Sequence, residues 1–260
     1  MLSDFLLRCV ISGSIACALY FVFAGLMARY HNRKVPRDIV RHDIKLGLIS
    51  LLCGSPMLQA FSLAHERWGI SRVYAGVGER GWLWWAVSIP LYVLLWDLTF
   101  YLTHLILHVP LVFRVSHFRH HKCRPPVPWS GIAIDPIETV FSGILPYIVP
   151  LFILPFHIYT VYAVNIALMA WATLVHSSYD WSGSRVFMTP KDHNLHHHFG
   201  LKNHNFAAVF TFWDRVFGTL NRVDRPAWWG IDGWVPKVGV HAAPAAQPVV
   251  ARASADEPAA

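Results

Sequence analysis

The stretch from Asp97 to His121, DLTFYLTHLILHVPLVFRVSHFRHH, joins the end of an apolar run to two groups of histidines, and the fold follows from how it is read. His104 and His108 stand four apart, so on a helix both imidazoles lie on one face, one turn from each other. His117, His120 and His121 follow at i, i+3 and i+4, and the same spacing returns in His193, His196 and His197. Each triplet is expected to project three ring nitrogens from one helical face. Eight of the sixteen histidines thus fall into three compact boxes.

Imidazole is a neutral ligand that suits iron, zinc, copper and nickel, so the boxes point to a transition metal and not to calcium or magnesium. Eight ligands exceed the four of a tetrahedral zinc and fit two metals of four or five ligands each. Soluble di-iron bundles use Glu-x-x-His patterns, but these boxes contain no glutamate. Nearby carboxylates should therefore orient the imidazole N–H groups, and Asp97, Glu138, Asp180 and Asp192 are the candidates. Asp97 sits in an apolar run, where an unpaired carboxylate is costly. His198 and His204 adjoin the third box outside its spacing and are weaker ligand candidates. His31, His42, His65, His157 and His241 read as solvated or hydrogen-bonded side chains, and Arg114, Arg119, Lys122 and Arg124 as membrane-flanking charge.

Working outward, 55% of the 260 residues are apolar and only 14% are charged, a balance suited to a bilayer. Apolar stretches run over about 5–27, 46–64 (broken by Gly54 and Pro56), 82–109 and 139–175. The last, with Pro146, Pro150 and Pro155, is long enough for a helical hairpin of two passes that returns to its starting side. Trp82, Trp84 and Trp85 suit an aromatic belt at the outer interface, and the basic segment RYHNRKVPRDIVRHDIK (29–45) marks the cytoplasmic side. The expectation is an all-α integral membrane protein with about four transmembrane helices, the hairpin included, and a cytosolic helical cap holding a dinuclear metal site. Residues 1–95 would form the first helices and loops, 96–220 the catalytic part, and 221–260 a tail whose end reads as disordered. The net charge of +7 reads as topology, and no nucleic-acid partner is expected. Cys9, Cys17, Cys53 and Cys123 form no Cys-x-x-Cys pair and read as apolar fillers. The amino terminus lacks a cleavage pattern and reads as a retained helix.

The order HLILH, HFRHH, HNLHH, with the flanks HSSYDW and HNFAAVFTFWDRVFGTL, resembles the fatty acid hydroxylase/sterol desaturase superfamily over roughly 96–220. Within it, HSSYD and NFAAVFTFWDRVFGT look most like the methylsterol monooxygenase and cholesterol 25-hydroxylase branch. The resemblance implies membrane helices capped by a cytosolic domain, two iron ions between them, and O2 as co-substrate. It adds His176 to the ligands and makes Asn205 a polar residue near the site, beside Asp97 and Asp180. Where the family often carries His-Pro-x-Glu, this chain reads DPIE, Asp135 to Glu138.

On this resemblance the expected reaction is O2-dependent hydroxylation of a C–H bond in a membrane lipid, sterol-like or fatty acyl, with desaturation as the alternative on the same ligands. The sequence carries no flavin, nicotinamide, iron–sulfur or haem signature, so electrons are expected from a ferredoxin or small haem protein with its reductase. Imidazole sites accept zinc as well as iron in a purified sample. A non-catalytic metal carrier would spread polar residues through its spans, and a zinc peptidase would carry His-Glu-x-x-His; neither pattern is present.

Overall fold

A computed structural model describes residues 2–31, 35–179, 184–200 and 204–222. Among these residues every extended element is helical, and the only strand-like pairings are two isolated bridges, Tyr74 with His157 and Phe187 with Phe210. Asp180, His241 and nearly all of the 221–260 tail lie outside the described residues.

Three long helices come first: α1 (Leu2–Arg29), α2 (Arg37–Trp68) and α3 (Gly81–Leu107). A short α4 (Pro110–Val115) follows, then 3-10 turns over His117–Lys122 and Pro128–Ile132. The single turn α5 (Pro136–Glu138) widens into a π-helix over Thr139–Ile144 and resumes as α6 (Leu145–Ile153); α7 (Ile158–Val175) returns, and both α6 and α7 pack on α3. Two short helices complete the described elements, α8 (Pro190–Phe199) and α9 (Phe212–Val216).

Among the described residues five segments are long and apolar enough to cross a bilayer: α1, α2, α3, Pro136–Ile153 and α7, the last two lying where the sequence suggested a hairpin. Its π-turn has a local cause. Pro146 has no N–H to give to residue 142, and Leu145 N donates back to Val140 instead. The helices face their side chains as membrane helices do. Leu6, Val10 and Ile15 of α1 and Leu52 of α2 are exposed, while Gly13, Ala24, Gly47, Ser50, Gly54 and Ser55 are buried between helices. The chain is thus built as an integral membrane protein.

Two boundaries differ from the hydropathy reading. α2 runs unbroken through Pro56 and begins at Arg37, inside the basic segment. That first turn is amphipathic: Ile39 packs with Cys123 and Val127, and Arg37, Arg41 and Lys45 stay exposed. At the other end, the hairpin tip is pinned by His157, whose ring accepts from Tyr159 N and donates to Ala75 O. Trp84 donates there to Pro155 O and Trp85 to Thr160 Oγ1. All the histidine boxes gather at the opposite end, where α3 and α7 both finish.

Candidate metal centre

His104 lies in the last turn of α3 and His108 caps it; the chain then restarts through Pro110. The second box forms a 3-10 helix, not the α-helix its spacing predicts. α7 delivers His176 at its C-cap. The third box rides on α8, whose start is fixed by a capping box: Asp192 N donates to Thr189 Oγ1, and Thr189 N donates to Asp192 Oδ2.

The nine rings divide into two buried groups, each with its ligand-type nitrogens within 4.8 Å of one another: His104, His108, His117, His121 and His196 in one, and His120, His176, His193 and His197 in the other. Each triplet is split. Its first and last members join one group and its middle member the other, in opposite senses for the two boxes. Both triplets therefore straddle the two groups.

Whether a metal fits can be judged from the outer ring nitrogens. His104 Nδ1 meets Phe206 O at 2.7 Å, His117 Nδ1 meets Glu138 Oε1 at 2.8 Å, and His196 Nδ1 meets His204 O at 2.9 Å. His176 Nδ1 meets Ala172 O at 2.6 Å and His120 Nδ1 meets Ala133 O at 3.3 Å. Those carbonyl oxygens can only accept, so Nδ1 carries the proton and Nε2 is left with a lone pair. Yet His117 Nε2 lies 3.0–3.1 Å from the Nε2 atoms of His104, His108 and His121. In the second group His193 Nε2 lies 2.9 Å from that of His176 and 3.1 Å from that of His197. His120 and His176, whose Nδ1 protons both go to carbonyls, bring their Nε2 lone pairs within 3.4 Å, a contact that a cation among them would relieve, and both groups could hold one. Burial also keeps the rings neutral, as ligands must be. It pushes His120 down to about 4, and it holds His117, His121, His176, His193, His196 and His197 well below the ordinary imidazole value, with neighbouring imidazoles adding to the effect.

Of the carboxylates expected to orient imidazoles, Glu138 does so, through His117. Asp135, discounted because it replaces the family's histidine, holds Glu138 in place. It accepts from Glu138 N at 2.9 Å, from Ser116 Oγ at 2.6 Å and from Arg119 Nη1 at 2.8 Å, tying the second box to α5. Arg119 is thus a structural partner and not merely flanking charge, and Arg124 likewise donates to His121 O. Asp97, Asp192 and Asn205 make hydrogen bonds to backbone groups and to Arg222, not to an imidazole. Asp97 accepts three backbone N–H groups of 208–210, and Asp192 pairs with Arg222 besides capping α8. Asn205, in the left-handed region at φ 56°, bridges Asp192 O and Asn221 O. His198 and His204 belong to neither group, although the His204 carbonyl orients His196. His65 bonds Ser71, and His31 accepts from Ser178 N.

A groove of about 640 Å³ runs between α3 and α7, lined by Trp85, Ile89, Val93, Ala163, Leu168 and Trp171 among others. It ends at Val209 and Phe210, in the segment that also carries His204 and Phe206.

Residues 89–219 match the model of the fatty acid hydroxylase family. Among curated relatives, a Delta(7)-sterol 5(6)-desaturase of Aspergillus fumigatus is 30% identical over 235 residues, covering 82% of this chain and 71% of that one. A Delta(7)-sterol 5(6)-desaturase of Gibberella zeae is 27% identical, covering 79% of this chain and 63% of that one. A lathosterol oxidase of Mus musculus is 27% identical, covering 77% and 67%. The chain therefore spans about two thirds of the length of these relatives. None of these three is named for the methylsterol monooxygenase or cholesterol 25-hydroxylase branch that the flanking segments resemble. No solved structure matches. With three histidine boxes folded into two buried imidazole groups inside the matched region, the chain belongs to the fatty acid hydroxylase family of the fatty acid hydroxylase/sterol desaturase superfamily.

Proposed function

We propose that this protein is an O2-dependent sterol desaturase, removing two hydrogens from adjacent carbons of a sterol-like membrane lipid. The observation that carries the proposal is the convergence of nine buried, neutral imidazoles into two groups at one end of a membrane bundle. The relatives' names favour desaturation over the hydroxylation that the flanking segments suggested. Balanced, the substrate, O2, two electrons and two protons give the alkene and two waters.

Two iron ions, held by His104, His108, His117, His121 and His196 and by His120, His176, His193 and His197, would supply the activation of O2. The chain's own part is to keep those rings neutral and oriented and to exclude bulk water. Glu138 places a negative charge against His117, offsetting part of the metal charge in an otherwise neutral ligand set. The apolar groove between α3 and α7 suits the hydrocarbon body of the lipid, delivered from the bilayer.

Electrons come, on this reading, from an external ferredoxin or small haem protein. Exposed Arg37, Arg41, Lys45, Arg114 and Lys122 surround the histidine end and would steer an acidic carrier. The same basic residues support a cytoplasmic reading of this end. The test is mass spectrometry of sterols from cells that express the protein. A product two hydrogens lighter, absent with His120→Ala or His196→Ala, is expected. A product with one added oxygen and no hydrogen loss would transfer the assignment to hydroxylation.

A further inference from the structure

Five consecutive backbone N–H groups, Phe206 to Phe210, end on two buried carboxylates. Phe206 N and Ala207 N donate to Asp214 at 2.8 and 2.9 Å. Ala208 N and Val209 N donate to Asp97 Oδ1 at 2.9 and 2.8 Å, and Phe210 N donates to Asp97 Oδ2 at 3.0 Å. Both carboxylates are fully buried. Asp97 comes from α3 and Asp214 from α9, so the segment is gripped from two sides. A buried carboxylate is expensive, and these two are compensated by backbone dipoles of one short stretch.

What that stretch does with its other atoms is the telling part. Its carbonyl at Phe206 accepts the Nδ1 proton of His104, and the carbonyl two residues earlier, at His204, accepts that of His196. The Phe206 ring packs against His104, His108 and His196. All three belong to the five-histidine group. In the four-histidine group, His120 and His176 are oriented by Ala133 and Ala172, which lie on other elements.

We infer that Asp97 and Asp214 are positioning residues for the five-histidine metal position alone, acting through the 206–210 backbone, whose Phe206 carbonyl fixes the His104 ring and which holds in place the preceding His204 carbonyl that fixes His196. The inference rests on the reading that both groups bind metal. It also gives the buried charge in α3 a role that no direct contact with an imidazole explains. Replacing Asp97 by Asn swaps one accepting oxygen for an NH2 that faces backbone donors, which should let the segment relax and release its carbonyls.

The experiment is zinc binding to metal-stripped full-length protein in detergent, in two backgrounds: His120→Ala/His193→Ala, which leaves the four-histidine group two rings, and His108→Ala/His117→Ala/His196→Ala, which leaves the five-histidine group two. Asp97→Asn should weaken binding 10- to 100-fold in the first background and leave the second within twofold, consistent with the usual effect of losing a group that orients a ligand. Asp214→Asn should do the same. Equal weakening in both backgrounds, or none in either, overturns the inference, as does failure of both carboxylate variants to fold while the two backgrounds fold. Absence of zinc binding by the unsubstituted protein would instead sink the metal reading itself.

Discussion

Gly131 sits where the Pro128–Ile132 turn presses on the last turn of α7, and Gly131→Ala is the sharpest test of how the four-histidine group is built. A Cβ at this position would lie 2.7 Å from Ala172 O, 2.8 Å from Ala172 C and 2.9 Å from Thr173 N. All three are backbone atoms, so no side chain can swing aside. Ordinary van der Waals contact begins near 3.4 Å, and the turn and the helix must therefore separate by about 0.7 Å. Overpacking of this kind costs about 1–3 kcal/mol. Function should suffer more than stability, because the atoms pushed apart are those that aim the ligands. Ala172 O holds the ring of His176, Ala133 O, two residues past Gly131, holds that of His120, and their Nε2 atoms lie 3.4 Å apart. A misplacement approaching 1 Å costs on the order of 100-fold in rate. Thermal unfolding in detergent, zinc binding in the His108→Ala/His117→Ala/His196→Ala background and sterol turnover read the three levels separately. A variant with unchanged stability, unchanged zinc affinity and turnover within twofold of the parent would refute the close-approach reasoning.

Glu138→Gln keeps an oxygen that can accept from His117 but removes the charge, so zinc affinity in the His120→Ala/His193→Ala background should fall about 10- to 100-fold by chelator competition; unchanged affinity would mean the carboxylate's charge is irrelevant there. Acid should destabilise the metal-free protein. His120 titrates at about 4 when folded and near 6.5 when unfolded, so below pH 6.5 the unfolded chain takes up the proton first and stability falls as pH falls. His120 alone accounts for a loss of about 3 kcal/mol by pH 4, and the other buried imidazoles act in the same direction. Unfolding followed from pH 7.5 to pH 5 should show this decline, and a flat profile would contradict it.

The residues that came together were largely legible in the sequence. Histidines at i, i+3 and i+4 announce a shared purpose whatever the turn type, because all helical periods near 3.6 bring those positions close. Their partition was not legible, since it depends on where each box sits relative to the other two. Glu138 was anticipated as a carboxylate near an imidazole, but Asp135 was not. Its value lies in bonds to Ser116, Arg119 and Glu138 N, and no spacing rule connects those positions. Asp97 was singled out because a carboxylate in an apolar run demands a partner. The partners turned out to be amides more than a hundred residues away.

By itself, then, the sequence determined the solvent, the helices and the ligand type. Hydropathy is summed along the chain, and imidazole chemistry belongs to each residue. Only the tertiary structure decided which histidines share which group and what orients them. The N–H partners of the rings are mostly backbone carbonyls, of Ala133, Ala172, His204 and Phe206, and every residue type has a carbonyl. A group common to all residues leaves no mark in a sequence; it becomes specific only when the fold points it at a ring.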